Sequence, residues 1–94
     1  MIYFNKKGQR ISHYWWARLM DMGPRYWSVN ITLVLGGYVR TTWLGLAHES
    51  DVLPSVFATS VIIHGQKDRI VFSPNIGAAL STHRVMTEVA RAAA

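Results

Sequence analysis

The sequence predicts an α+β fold, with an antiparallel sheet of three to four strands and an N-terminal and a C-terminal helix packed on it. Three observations lead there. Residues 26–35 alternate polar and apolar side chains with a period of two, the pattern of a strand with one buried face. Gly36-Gly37 comes next and a second β-prone stretch follows it, which reads as a hairpin. Apolar residues recur at helical spacing near both ends of the chain. The 94 residues suit one domain, 1–94, with one core.

In chain order, Ile2–Phe4 is a short β-prone start and Asn5–Gly8 supplies turn residues. Ser12 is a good N-cap, because its hydroxyl can accept from a first-turn N–H that has no partner within the helix. Trp16, Leu19 and Met20 fall at i, i+3 and i+4, so a helix is expected from His13 to about Met22. Gly23-Pro24 ends it. Trp27, Val29, Ile31, Leu33 and Leu35 then make the apolar side of a strand and are expected to point into the core. Tyr38–Leu46 is the returning strand. A two-residue Gly36-Gly37 loop would pair Leu33 with Arg40 and Ile31 with Thr42, setting a cation on the apolar face. An odd loop or a bulge would bring Val39, Thr41 and Trp43 there instead, and cover on both faces would remove the conflict, so the register stays open. Ala47–Pro54 reads as a polar loop, Ser55–His64 as a strand, Gly65–Asp68 as a turn and Arg69–Phe72 as a short last strand. Ser73-Pro74 supplies an N-cap and a proline at the first helical position. Ile76, Ala79, Leu80, His83, Met86, Val89 and Ala90 then line one stripe of a helix to about Arg91.

Composition excludes more than it assigns. With no cysteine, disulfide frameworks, thiolate metal sites and cysteine nucleophiles are out. Half the residues are apolar and 16% are charged, as in a globular chain rather than a disordered one. The longest apolar runs fall far short of the ~20 residues that span a bilayer, and the opening MIYFNKKGQR lacks the apolar stretch of a signal peptide. A cytoplasmic protein with no membrane partner is therefore expected.

Charge placement is more telling than net charge. Lys6, Lys7, Arg10, Arg18, Arg25 and Arg40 face one acid, Asp21, within residues 1–40, while residues 41–94 carry four basic and four acidic side chains. The net +5 thus sits in the first 40 residues, where most of the aromatic rings also lie. Cations beside flat rings suit phosphates and bases, although a tryptophan-rich core with a solvated basic rim has the same composition. Tyr14 and Trp15 fall off the Trp16–Leu19–Met20 stripe. With Arg18, Lys6, Lys7 and Arg10 they form the candidate contact surface. With nine of eleven aromatics in the first 43 residues and a sheet edge left open, a homodimer is expected, by edge-strand pairing or by packing around Tyr14 and Trp15.

Candidate chemistry is sparse. His48, beside Glu49 and Asp51 at a strand end, has the makings of a general base or one metal ligand, against the reading of a solvated loop histidine. His83, in mid-stripe, reads as a hydrogen-bonded core histidine. No two of His13, His48, His64 and His83 have ligand spacing, and Ser73, Ser81 and Thr82 lack the context of a nucleophile. Accordingly no catalytic residue, metal site, cofactor site or cofactor is expected.

The string Val39-Arg-Thr-Thr-Trp-Leu-Gly-Leu-Ala-His48, then Pro54-Ser-Val-Phe-Ala-Thr-Ser-Val61, then a helix bearing His83, resembles a family of short uncharacterised bacteriophage and bacterial proteins. Their pattern is VSTVWLGLDH, a Gly/Pro-rich loop, FETMVF and a helix with an AxxxH step. The opening Ile2–Ala17 is also similar to theirs. The resemblance marks Trp43, His48 and His83 as a candidate motif pocket. Ala47 and Ala58 stand where the family has Asp and Glu, so the carboxylates that acid–base or metal chemistry would need are missing. The resemblance implies a small, non-catalytic phage or prophage accessory protein in the cytoplasm of its host. It would bind a host protein, a component of host defence among the candidates. The alternative is a nucleic-acid or nucleotide-binding module built on the basic, aromatic N-terminal half.

Overall fold

The computed structural model describes residues 1–50 and 52–93. The elements are β1 (Ile2–Phe4), β2 (Arg10–Ile11), α1 (His13–Asp21), α2 (Pro24–Trp27), β3 (Ser28–Val34), β4 (Gly37–Ala47), β5 (Ser55–Ile63), β6 (Arg69–Ser73) and α3 (Ile76–Ala92). The class is α+β with an antiparallel sheet, and among the described residues the sheet has six strands rather than three or four. The extra strands are the short β1, at the β-prone start Ile2–Phe4, and β2, whose two residues are too few to register as a period; β1 pairs with both β2 and β4.

The long strand β4 organises the sheet. One of its edges pairs along its length with β5, which in turn pairs with β6. The other edge is shared end to end, with β3 along Gly37–Thr42 and β1 at Leu46 and Ala47. Helices α1 and α2 bridge from β2 to β3. Between Trp43 and Leu46 the β4–β5 register shifts, and Gly45 takes φ +68° there. A Cβ at Gly45 would land on the Trp43 ring and the Phe4 carbonyl oxygen, so this turn of the strand admits only glycine. The Trp43 indole N–H donates to Phe4 O at 3.0 Å and that of Trp16 donates to Leu44 O at 2.8 Å. The Trp-Leu-Gly-Leu string thereby ties β1 and α1 to the sheet.

Helices α2 and α3 lie on one face. Val39, Thr41 and Trp43 point to it, Thr41 reaching His83 of α3 and Trp43 meeting Tyr26 of α2 edge-on. The core cluster is Trp43, Val56, Phe57 and Ala79, with Phe4, Trp16, Leu19, Met20, Tyr26, Trp27 and Val29 packed around it. Helix α3 buries Ala79, His83, Thr87 and Ala90, a stripe of small and polar residues, while Leu80 and Val89 stay largely outside.

Three local expectations need correction. The hairpin loop is Leu35-Gly36, not Gly36-Gly37: Val34 pairs with Gly37 and Ile31 with Arg40. Gly36 has φ +82° and no other residue type in the chain's described part has positive φ, the pattern of a type II turn with glycine in its second central position. The apolar stripe of β3 is also divided. A bulge at Val29, between the pairs Ser28–Thr42 and Asn30–Thr41, shifts the parity of the strand. Trp27 and Val29 pack on the core, but Ile31, Leu33 and Leu35 emerge on the opposite side, 55%, 77% and 78% exposed. In α3 the cap is Asn75, whose side chain accepts from Ala78 N–H at 2.8 Å. Ser73 is the buried last residue of β6 and pairs with Phe57.

Candidate functional site

The face of the sheet turned away from α3 carries a set of exposed apolar side chains. Strand alternation sets Ile31 and Leu33 of β3, Tyr38, Arg40 and Thr42 of β4, Ala58, Ser60 and Ile62 of β5, and Ile70 and Phe72 of β6 on it. They stand in three rows across the strands: Leu33–Tyr38–Ile62, Ile31–Arg40–Ser60–Ile70, and Thr42–Ala58–Phe72. Ile70 and Phe72 are more than half exposed, like Ile31 and Leu33. Together with Leu35 at the hairpin tip they leave on the order of 500 Å² of apolar surface, toward the top of the range for a monomeric soluble protein. Two apolar flanks, β3 and β6, stand about 14 Å apart at the strand spacing of a sheet.

Arg40 lies between these flanks. Its Nε is shielded from water and has no hydrogen-bond partner. A donor shielded in this way costs about 1–3 kcal/mol until a partner supplies an acceptor, and more when it is charged. Among the described residues none of the acids stands in the three rows: Asp21 ends α1, Glu49 follows β4, Asp68 lies in the connection before β6, and Glu88 is on α3.

On the helix face a polar chain runs through the sheet centre. His83 Nδ1 lies 2.8 Å from Thr41 Oγ1, which lies 2.8 Å from Thr59 Oγ1, and His83 Nε2 lies 2.9 Å from Thr32 Oγ1. The Thr87 hydroxyl donates to His83 O at 2.8 Å. Burial lowers the His83 pKa from its ordinary value, favouring the neutral ring, in which one nitrogen donates and the other accepts. The Thr–His distance would suit a nucleophile and its base, but Thr41 and Thr59 are fully enclosed, so a substrate carbonyl has no approach to either hydroxyl. The chain fastens α3 to the sheet.

The residues singled out from sequence fall into separate places. Trp43 is fully buried and His83 is 3% exposed, whereas His48 is exposed just past the end of β4. Thr41, the partner of His83, precedes His48 by seven residues, roughly 20 Å of strand, so Trp43, His48 and His83 do not converge on a pocket. Asp51, read as a neighbour of His48, lies outside the described residues. Tyr14, Trp15 and Arg18 do gather on the outer side of α1: the rings meet edge-on at 5.4 Å and the Arg18 guanidinium sits 6.0 Å from the Tyr14 ring. Lys7 and Arg10 are exposed on the β1–β2 hairpin. Lys6 is engaged elsewhere, with Nζ 4.7 Å above the Tyr26 ring and its backbone N–H donating to the Tyr26 hydroxyl.

A cleft of about 260 Å³ opens on the helix side, between the β5–β6 end and the last turns of α3, lined by Val61, Ile63, Val71, Met86 and Val89 with Lys67 and Arg69 among its walls. Among the described residues no group of three or more His, Asp or Glu side chains could hold a metal ion, and no helix is long and apolar enough to cross a membrane.

The open face was missed from sequence because Ile31 and Leu33 read as core. The available signal was Arg40, which the two-residue hairpin already set beside them. Comparison of the chain with protein-family models, with curated proteins and with solved structures gives no match.

Proposed function

We propose that this protein is a non-catalytic binding module that docks another protein on the open face of its sheet. The observation that carries this reading is the set Ile31, Leu33, Ile70 and Phe72, each more than half exposed, on the face of the sheet opposite α3. Apolar side chains so placed gain from being covered, at about 25 cal/mol for each Å² removed from water. The full enclosure of Thr41 and Thr59 supports a scaffold role for the polar chain through His83. On the resemblance to short phage proteins, the partner proposed is a protein of a bacterial host, a defence component among the candidates, and the compartment is the host cytoplasm.

The test is capture from bacterial lysate by immobilised wild-type chain and by the double variant Leu33→Ser, Phe72→Ser. A discrete protein held by the wild type and lost from the variant is expected. Equal capture by both would sink the reading.

A second reading rests on Tyr14, Trp15 and Arg18, exposed together on α1, with Lys7 and Arg10 exposed on the preceding hairpin: stacking rings beside cations suit single-stranded nucleic acid. It requires retention on a DNA column that falls steeply with salt and drops further on Trp15→Ser.

A further inference from the structure

We infer, building on the open face as the docking surface, that its partner is a protein segment presenting one carboxylate among aliphatic or aromatic side chains, with the carboxylate paired to Arg40. The rows of the sheet put Arg40 in the trough between the Ile31–Leu33 flank and the Ile70–Phe72 flank. Its Nε is already shielded and lacks an acceptor, so a partner that covers the flanks without supplying one would enclose a cation as well. A carboxylate meets the planar guanidinium in two parallel hydrogen bonds, fixing the register of a partner that would otherwise slide on an apolar sheet.

The other occupants fit less well. A second copy of this chain would bring the same three rows, which hold Arg40 and no acid, so like charges would meet at the centre. A nucleic acid would supply phosphates but would leave the apolar flanks uncovered, and protein surfaces that bind nucleic acid are polar and rich in cations. Arg40 stands here amid Ile31, Tyr38, Thr42 and Ser60.

The probe is a library of random 15-residue peptides, displayed on particles and panned on the immobilised full chain. The expected result is enrichment of peptides with Asp or Glu flanked by Leu, Ile, Val or Phe. A synthetic peptide of the enriched sequence should lose at least tenfold in affinity on Arg40→Met, less on Arg40→Lys, and the same tenfold when its own acid becomes the amide. The two losses should not add when combined. Val89→Ser, in the cleft on the helix side, should leave binding unchanged, and circular dichroism verifies that each variant is folded.

Peptides that need Leu33 and Phe72 but carry no acid and ignore Arg40→Met would overturn the carboxylate while leaving the docking surface standing. Enrichment no greater on the wild type than on Leu33→Ser, Phe72→Ser would overturn both. Self-association abolished by Arg40→Met would replace the partner with a second copy, and peptide binding displaced by single-stranded DNA would replace it with a nucleic acid.

Discussion

His83 Nδ1 and Thr41 Oγ1 stand 2.8 Å apart at the centre of the sheet, where the ring is 3% exposed and the hydroxyl is fully enclosed. A helix whose buried stripe is Ala79, His83, Thr87 and Ala90 has little apolar area with which to hold its place, so this contact carries much of its docking. His83→Ala removes the ring and leaves Thr32 without its partner. The expected loss is about 2–4 kcal/mol, read from urea unfolding. Unchanged stability would contradict the anchoring role.

The same ring makes stability depend on pH. Its folded pKa is below the unfolded value of about 6.5, so near and below that pH the unfolded chain binds a proton that the folded chain does not. The contribution is fully present above pH 6.5 and is lost progressively as pH falls toward the folded value. Melting temperature should therefore decline below pH 6.5 in the wild type, and more shallowly in His83→Gln. Parallel curves for the two chains would refute this.

Gly45 should tolerate no side chain. Alanine there combines an unfavourable positive φ with a collision on Trp43 and Phe4, and Gly45→Ala should cost on the order of 2–4 kcal/mol in urea unfolding.

On the open face the expected result is the reverse. Ile31→Ala and Leu33→Ser remove side chains that are more than half exposed and should change stability by no more than about 0.5–1 kcal/mol. Val39→Ala, on the helix face and fully buried, should cost about 2 kcal/mol or more. Thermal unfolding of the three variants side by side checks the assignment of faces.

Association should use edges rather than faces. Among the described residues strand β6 pairs only with β5, and Ile70, Val71 and Phe72 all remain substantially exposed on it. Two-fold pairing along β6 would extend the sheet and satisfy its outer backbone groups. Sedimentation at micromolar concentration should give a dimer that persists in Trp15→Ser and dissociates in Val71→Lys. A monomer at every concentration would exclude it.

The elements of this fold could largely be read from the sequence, because each has a local cause. Ser12 accepts from Trp15 N–H as an N-cap should, Gly23-Pro24 ends α1, and β4 and β5 lie within a residue or two of their expected bounds. What could not be read was non-local. Whether Ile31 faces helices or solvent depends on one unpaired residue, Val29, and on which side of β4 the helices pack, and neither leaves a trace in the alternation of β3 itself. The candidate site shows the same division. Tyr14, Trp15 and Arg18 share one short helix and were found together, whereas Arg40, Ile31 and Ile70 come from three strands and meet only through register. Trp43, His48 and His83 looked like a constellation because they share a motif, but a long strand spreads its residues along its axis rather than gathering them.

The Val29 bulge and the hairpin loop are alternative places for one spare residue of β3. Were that residue taken up in the loop instead, Val29 would pair with Thr41 and the period of two would run unbroken along the strand, turning Ile31 and Leu33 beneath α3 and pushing Thr32, the partner of His83, to the other face. Deleting Val29 would do the opposite: Ser28–Thr42 and Asn30–Thr41 would become consecutive pairs, and Ile31 and Leu33 would keep their side. The docking surface therefore depends on where the strand keeps its spare residue, and a strand shortened at Val29 would hold the exposed face in place.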